Sequence, residues 1–317
     1  MSGIVFQNVT KYYASSESPA VNHVSLTVES GEFVVLLGSS GCGKTTLLKM
    51  VNRLYELSEG TILVGGNDNR AVPVNELRRQ IGYVIQQSGL FPHMTVEQNV
   101  ATVPEMLGWD KQKLNKRIDE LLELVHLDPK IYRKRYPRQL SGGQQQRVGL
   151  ARALAADPPY MLMDEPFGAI DTITRASLQD EMLQIQKKLH KTILFVTHDV
   201  DEALKLADKI VVMKDGQVIQ FDTPLNIIAS PKNDFVKELI GGDDLMRQLS
   251  LIPARQVMKD ADQSMTNAVC GSIAEHVNLK EALALMLKTG NDCILVTDPS
   301  GNVAGYVSLK QIREIFS

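Results

Sequence analysis

The run Gly38-Ser39-Ser40-Gly41-Cys42-Gly43-Lys44-Thr45 satisfies G-x-x-x-x-G-K-[ST] at every fixed position. Glycines at this spacing let a backbone curl around an anion, so that successive N–H groups and a helix N-terminus face a phosphate. The Lys44 ammonium would add a point charge to β- and γ-phosphate oxygens, and the Thr45 hydroxyl would ligate Mg²⁺. Thr46, next in line, is counted with the same nucleotide-contacting stretch. Further along, the apolar run of residues 160–163 ends in Asp164-Glu165. At the C-terminal end of a parallel strand, both carboxylates would stand at the sheet edge where ligands bind. Asp164 suits the hydration shell of Mg²⁺, and Glu165 suits the polarisation of an attacking water, a general-base task. His198, in "FVTHD", ends a third apolar run. On the same edge it would donate to a γ-phosphate oxygen and orient Glu165. These types and spacings point to binding and hydrolysis of a nucleoside triphosphate.

A second glycine-bearing helix start follows Tyr136, in "YPRQLSGGQQQRVGLARALA". Ser141 reads there as an N-cap, its hydroxyl accepting an N–H of the first turn. A cap alone assigns no function. The basic cluster "RKRYPR" (133–138) reads as a solvated loop ahead of that helix, because a nucleic-acid face needs more charge with interleaved aromatics. His23, His93, His126, His190 and His276 have no comparable company and receive no role.

The elements needed to position these groups are visible in the pattern of apolar residues. "FVVLL" (33–37), "YMLMD" (160–164) and "TILFVT" (192–197) are continuous apolar runs, as expected of strands buried on both faces of a mostly parallel sheet. "KIVVM" and "QVIQF" flank the turn signal "KDGQ" and read as a hairpin. After Lys44, the spacing of Leu47, Leu48, Val51, Leu54 and Leu57 predicts an amphipathic helix, and Ser177–Lys191 predicts another. From about 92 to 156 the text is helix-like, which suggests a helical subdomain inserted in an α/β core. Gly241-Gly242 and the aspartates after them read as a linker. Beyond it a small α/β module is expected over 251–317: a helix in "VNLKEALALMLKTG", strands in "DCILVTD" and "NVAGYVSL", and a short helix in "KQIREIF".

The 317 residues suffice for about two domains. Net charge −3, with 44% hydrophobic and 22% charged residues, gives no sign of bulk affinity for nucleic acid. No basic stretch followed by an apolar one opens the sequence, so no signal peptide is expected. No apolar run approaches the length that spans a bilayer, so a membrane role is expected to come through a partner. Cys42, Cys270 and Cys293 are too few and scattered for a disulfide scaffold or a zinc site, and reduced thiols in the cytosol are expected.

Taken in order, "GSSGCGKT", Gln86, "LSGGQ", "MDEP", "GAID" and "THD" resemble the ATPase subunit of ABC transporters over residues 1 to roughly 240. The resemblance implies a P-loop NTPase domain over 1–242, with its helical subdomain at roughly 92–156 and with ATP and Mg²⁺ as cofactors. It implies Tyr13 as the adenine-stacking aromatic, two positions after Lys11, with Tyr12 as the competing candidate. Gln86 would link Mg²⁺ to a transmembrane partner, as a metal-side and catalytic residue, and Asp171 would be an inter-subunit contact. Ser141, Gly142, Gly143 and Gln144 would form a signature loop meeting the γ-phosphate held by another subunit. Two copies paired head to tail would then bury two ATPs, each between one Lys44 loop and the other Ser141 loop. The implied partners are a second copy, transmembrane permease subunits and, indirectly, an extracytoplasmic solute-binding protein. The implied place is peripheral, on the cytoplasmic face of the membrane, with no nucleic acid involved.

Within that family, "LLKMVNRL", "ELRRQIGYVIQQSGLFPHMTVEQNVA", "DEPFGAID" and "DVDEALKLADKIVVM" look most like ATPase subunits of importers for glycine betaine, carnitine, choline and related quaternary amines. The tail over 251–317 resembles a single CBS motif, a unit that works in pairs. The two tails are expected to pair across the dimer. Gln311 stands where the ribose-binding pattern of such motifs often ends in Asp, which weighs against an adenosine-type nucleotide ligand there. Two other readings remain: an importer ATPase for another small solute such as an amino acid, and a non-transport ABC ATPase of DNA repair or translation. Proteins of the second kind usually carry long coiled-coil insertions, zinc cysteines or two ATPase halves, and none is visible in this chain.

Overall fold

The computed structural model describes residues 3–14, 18–85, 89–168, 170, 172–242, 245–260, 271–298 and 300–315. The chain divides into two compact units, one of residues 1–202 and 211–219, the other of residues 203–210 and 220–317.

In chain order the elements up to the helical block are β1 (Ile4–Lys11), β2 (Val21–Val28), β3 (Phe33–Leu37), α1 (Lys44–Val51), β4 (Glu59–Val64), β5 (Asn67–Asp68), α2 (Val74–Arg79) and β6 (Ile81–Val84). The block itself holds α3 (Val96–Met106), α4 (Lys111–Leu124), α5 (Pro129–Tyr132) and α6 (Gly142–Leu154). The core then resumes with β7 (Tyr160–Asp164), α7 (Thr172–Leu189), β8 (Thr192–Thr197), α8 (Val200–Leu206), β9 (Lys209–Lys214) and β10 (Gln217–Asp222).

Two sheets result. One is antiparallel with order β2-β1-β4-β5, and its first strands were not singled out by the sequence pattern because their buried positions do not alternate cleanly. The other has six strands in the order β10-β9-β3-β8-β7-β6. Every residue of "FVVLL" is buried, as a strand with neighbours on both sides and layers on both faces requires. Parallel pairing aligns Leu37 with Thr197 and Asp164 with Val196. The chain therefore leaves β3, β7 and β8 at one sheet edge, and Gly38, Glu165 and His198 emerge there together.

Helix α1 stops at Val51, earlier than the Leu54 and Leu57 spacing predicts. Arg53 takes a left-handed φ of 49° and turns the chain, while its guanidinium donates to the Asn69 and Val72 carbonyls at 3.3 and 3.2 Å. Leu54 is consequently 44% exposed.

Among the described residues no strand lies between β6 and β7. The helices of this block carry N-caps made by Thr95, Asp110, Asp128 and Ser141, each removing an unpaired donor from a helix end. Leu114, Ile118, Leu121 and Leu122 of α4 form its buried stripe. Arg133 ties the block together, reaching Glu97 Oε2 at 2.5 Å, Asp119 Oδ1 at 2.8 Å and the Asn115 side chain, while Lys134 takes the second Glu97 oxygen at 2.5 Å.

The second unit contains α9 (Pro224–Ala229), α10 (Asp234–Leu239), α11 (Leu245–Leu251), β11 (Ser272–Ala274), α12 (Leu279–Thr289), β12 (Cys293–Thr297), β13 (Val303–Ser308) and α13 (Leu309–Ile315). Strand β11 joins β12 in parallel, and β12 joins β13 antiparallel. Neither α11 nor β11 was foreseen from periodicity. Gly241 and Gly242, read as a linker, donate to the Glu238 and Lys237 carbonyls and so close the end of α10. Gln311 is buried and serves as the third residue of a capping box, its Oε1 accepting from the Ser308 N–H and hydroxyl at 2.6 and 2.8 Å. Cys42 and Cys293 are free thiols, and Cys270 lies outside the described residues.

Candidate active site

The loop between β3 and α1 is shaped by close backbone approaches. A Cβ on Gly38 would lie 2.3 Å from the Met213 carbonyl oxygen, and one on Gly43 would lie 2.3 Å from that of Ala20. Gly43 also holds φ 104° at the N-cap of α1, a conformation other residues avoid. No side chain caps this helix. The first-turn N–H groups are therefore presented by backbone geometry alone, as an anion site needs. Ser39, Ser40 and Gly41 are exposed at the loop's rim, and Cys42 is buried beneath it. The Lys44 ammonium is only 5% exposed and donates to the Gly38 and Ser39 carbonyls at 2.7 and 2.9 Å. Those two bonds fix a positive charge inside the curl of the loop.

One residue further, the Thr45 hydroxyl donates to Asp164 Oδ1 at 2.7 Å. Two hard oxygen donors thus converge between the α1 start and the β7 end, a donor set that suits Mg²⁺. Glu165, next to Asp164, holds a left-handed φ of 45°. Such backbone costs a non-glycine residue about 1–2 kcal/mol. Here the Glu165 N–H donates to the Val196 carbonyl at 3.0 Å, and its carboxylate Oε2 lies 3.2 Å from His198 Nδ1. The His198 side chain is 59% exposed and the Glu165 side chain 23%, so the pair opens to solvent beside the Lys44 loop's sheet edge.

Of the two tyrosines considered for a base, Tyr13 reaches α1: its hydroxyl lies 3.2 Å from the Thr46 hydroxyl. Tyr55 stands edge-on to it with ring centroids 5.9 Å apart. Tyr12 instead gives its N–H to the Ser58 hydroxyl.

At the second helix start, Ser141 and Gln144 form a reciprocal capping box: the Gln144 N–H donates to Ser141 Oγ at 3.3 Å, and the Ser141 N–H to Gln144 Oε1 at 3.0 Å. Gln144 Nε2 donates to the Tyr132 hydroxyl at 3.1 Å. Ser141 and Gly142 are exposed, and Gly143 is buried. Gln86 and Asp171 lie outside the described residues.

The structure adds residues that motif reading missed. Arg175, Gln179, Asp199 and Glu202 gather behind His198, and Tyr132 and Tyr55 buttress Gln144 and Tyr13. Asp199 is the aspartate of "THD", which was given no role, and Glu202 follows it as an acidic residue in the first turn of α8.

A curled loop with a captive lysine, a Thr–Asp oxygen pair and an exposed Glu–His pair on one parallel-sheet edge define a P-loop nucleotide hydrolase. A family model described as "ABC transporter" matches residues 21–168. The choline transport ATP-binding protein OpuBA of Bacillus subtilis is 49% identical over 311 residues, covering 98% of this chain and 80% of that protein. The glycine betaine uptake system ATP-binding protein YehX of Escherichia coli is 45% identical over 310 residues, covering 98% of both. Among solved structures, a dimeric post-hydrolysis state of the ATP-binding cassette MJ0796 bound to ADP and Pi superposes with a TM-score of 0.63 at 33% identity, covering 70% of this chain and 98% of that one. The chain belongs to the ATP-binding proteins of ABC transporters, and ATP hydrolysis is its activity. No helix among the described residues is long and apolar enough to cross a membrane.

Proposed function

We propose that this protein hydrolyses ATP to drive import of quaternary-amine osmoprotectants, such as glycine betaine, carnitine or choline, through separate permease subunits. The observation that carries the reading is the convergence of Lys44, Thr45, Asp164, Glu165 and His198 at one sheet edge. The substrate class rests on the relatives named for choline and glycine betaine.

In this reading the Gly38–Thr46 loop wraps the phosphates with backbone N–H groups and Lys44 holds the β- and γ-oxygens. Thr45 and Asp164 would hold Mg²⁺, a role the family resemblance extends to Gln86, and the ion would neutralise charge on the transferred phosphoryl group. Glu165 orients and deprotonates the attacking water, while His198 keeps Glu165 aimed and donates to the γ-phosphate. Tyr13 stacks on the base, steadied by Tyr55. Ser141, Gly142, Gly143 and Gln144 complete the site of a second copy, and Asp171 lies at the same subunit boundary.

Residues 1–242 form the ATPase domain and 251–317 a single CBS-like motif. Gln311 is engaged with Ser308 and with the Val257 carbonyl at 3.3 Å, so a nucleotide ligand of this module would have to be held by other residues, and pairing of the two tails is the second role open to it. The protein would then sit peripherally on the cytoplasmic face, with an extracytoplasmic solute-binding protein delivering cargo to the permease.

The test is reconstitution with the permease and binding protein encoded for the same system, followed by ATP-driven uptake of labelled glycine betaine, carnitine and choline. Uptake of one or more of them, lost with Glu165→Gln, is expected. Uptake of none, with ATPase stimulation by an amino acid instead, would move the substrate class.

A further inference from the structure

Both chain neighbours of His198 are clamped by one partly buried cluster. The Thr197 hydroxyl donates to Glu202 Oε2 at 2.7 Å and accepts the Asp199 N–H at 3.0 Å. Asp199 Oδ1 caps the start of α8, accepting from the N–H groups of Asp201 and Glu202 at 2.9 and 3.2 Å. Its other oxygen, Oδ2, lies 3.5 Å from Arg175 Nη1. Arg175 Nε stands 3.9 Å from Glu202 Oε1, which also accepts from Gln179 Nε2 at 3.4 Å. The remaining arm of the guanidinium, Nη2, donates to the Ile170 carbonyl at 3.1 Å.

Ile170 belongs to the segment that leaves Glu165 and enters α7, and it directly precedes Asp171. A single planar, permanently charged fork thus spans two segments of the site: the stretch after Glu165 and the stretch around His198. A lysine could not reproduce this, because its one ammonium lacks the fixed fork geometry.

Glu202 is only 5% exposed. Burial pushes its carboxyl above the usual range, and nearby Asp199 adds to that, against the opposing pull of Thr197, Arg175 and Gln179. A buried carboxylate in such surroundings is tolerable only with its donors in place. The cluster is therefore not a dispensable surface pairing.

We propose that Arg175, acting with Glu202 and Asp199, is a positioning residue that locks His198 against Glu165 and binds the segment after Glu165 to the same frame. The inference rests on the reading of His198 and Glu165 given above. It adds that their alignment is set from behind the site by the Arg175 guanidinium.

The test uses the full chain. Arg175→Gln keeps the length of the side chain and removes the charge. Its steady-state kcat is expected to fall about tenfold, the equivalent of one charge-assisted contact of about 1.4 kcal/mol, while the ATP dissociation constant stays unchanged. Amide hydrogen exchange at Asp199 and Glu202 should quicken about tenfold, with exchange in the Lys44 loop unaltered. In a His198→Ala background the same substitution should lower the residual single-turnover rate by clearly less than tenfold, and where that rate is too small to measure, the exchange result decides. Asp199→Asn, which keeps the helix cap, should give a smaller fall in kcat and serves if Arg175→Gln does not fold. Unaltered kcat, unaltered exchange at Asp199, or an equal fall with and without His198 would overturn the proposal. Wild-type hydrolysis by His198→Ala alone would instead overturn the underlying reading of His198, leaving the cluster's effect on exchange still measurable.

Discussion

The two glycine-bearing helix starts in this chain are built for different tasks. At α1 a strand feeds directly into a curled loop, glycines at 38 and 43 sit against backbone carbonyls, no side chain caps the helix, and Lys44 is enclosed. That start supplies donors and a cation by itself, which makes it a self-sufficient phosphate site. At α6 the donors are partly consumed by the Ser141–Gln144 box, no lysine lies in the loop, and a Cβ on Gly142 would meet nothing within 4 Å. In the proposed reading, a helix end that satisfies itself and faces open space would add to a nucleotide held by a second copy. The same residue types are thus enclosed by the fold at α1 and left exposed at α6, and the proposed reading makes the first a complete site and the second half of one.

Substitutions can break this contrast, and the largest effect belongs to Glu165→Gln. Loss of the general base should slow hydrolysis by about 10²–10⁴-fold and let an ATP-bound pair accumulate. Size-exclusion chromatography with ATP checks it, and a variant that stays monomeric would deny α6 its role in a second copy. Next comes a matched pair measured on the monomer. Lys44→Ala should weaken ATP binding about 10–100-fold, the scale of a lost charge-assisted contact. Ser141→Arg should shift binding by no more than about twofold, as a surface change does, yet abolish hydrolysis. Equal losses of binding would place both loops on one nucleotide within one chain.

Gly142→Ala sharpens the contrast further. With open space around it inside the chain, the extra methyl should leave thermal stability within about 0.5 kcal/mol of wild type. A loss of ATPase activity would then have to come from outside the chain, and retained activity would mean that nothing approaches Gly142 closely.

The smallest effect is expected from pH. Burial alone would raise the Glu97 carboxyl, but hydrogen bonds and charge from Lys134 and Arg133 hold it below its ordinary value of 4.5. A carboxyl depressed in the folded state stabilises fully above its unfolded value, and that contribution is lost as pH falls through the folded value. Acidification below about 4.5 should therefore loosen the block that carries α6. Glu202 has the opposite sign, because its raised value favours the folded state at low pH and the advantage disappears as pH rises from 4.5 through the raised value. Amide exchange followed from pH 6 downward should show α3–α5 opening before the β8 edge, and Glu97→Gln should remove that pH dependence.

Much of the site was legible because its chemistry is local. A strand, a glycine loop and a lysine at the helix start are contiguous, so type and spacing alone locate Lys44 and Thr45. The acidic pair after "YMLM" and the histidine after "TILFVT" were legible for a related reason: each follows a doubly buried strand, and parallel strands deliver their ends to one edge. The antiparallel strands β1 and β2 were not, because bulges shift their pairing and spoil the alternation that would mark them. Nor was the end of α1, where the apolar spacing runs on to Leu57 while Arg53 turns the chain. The clamp made by Arg175, Asp199 and Glu202 left little signal, since Arg175 and Glu202 are ordinary residues of two separate helices and Asp199, though part of "THD", reads only as a cap.

By itself the sequence located the glycine loop at Gly38–Thr45 and picked out Asp164, Glu165 and His198 as its candidate companions, because backbone geometry and side-chain chemistry there are short-range properties. Only the tertiary structure decided that Thr45 meets Asp164 across 119 positions and that Glu165 adopts its strained backbone against His198. Those outcomes depend on strand order and register, which arise from burial of whole faces and cannot be read from any one segment.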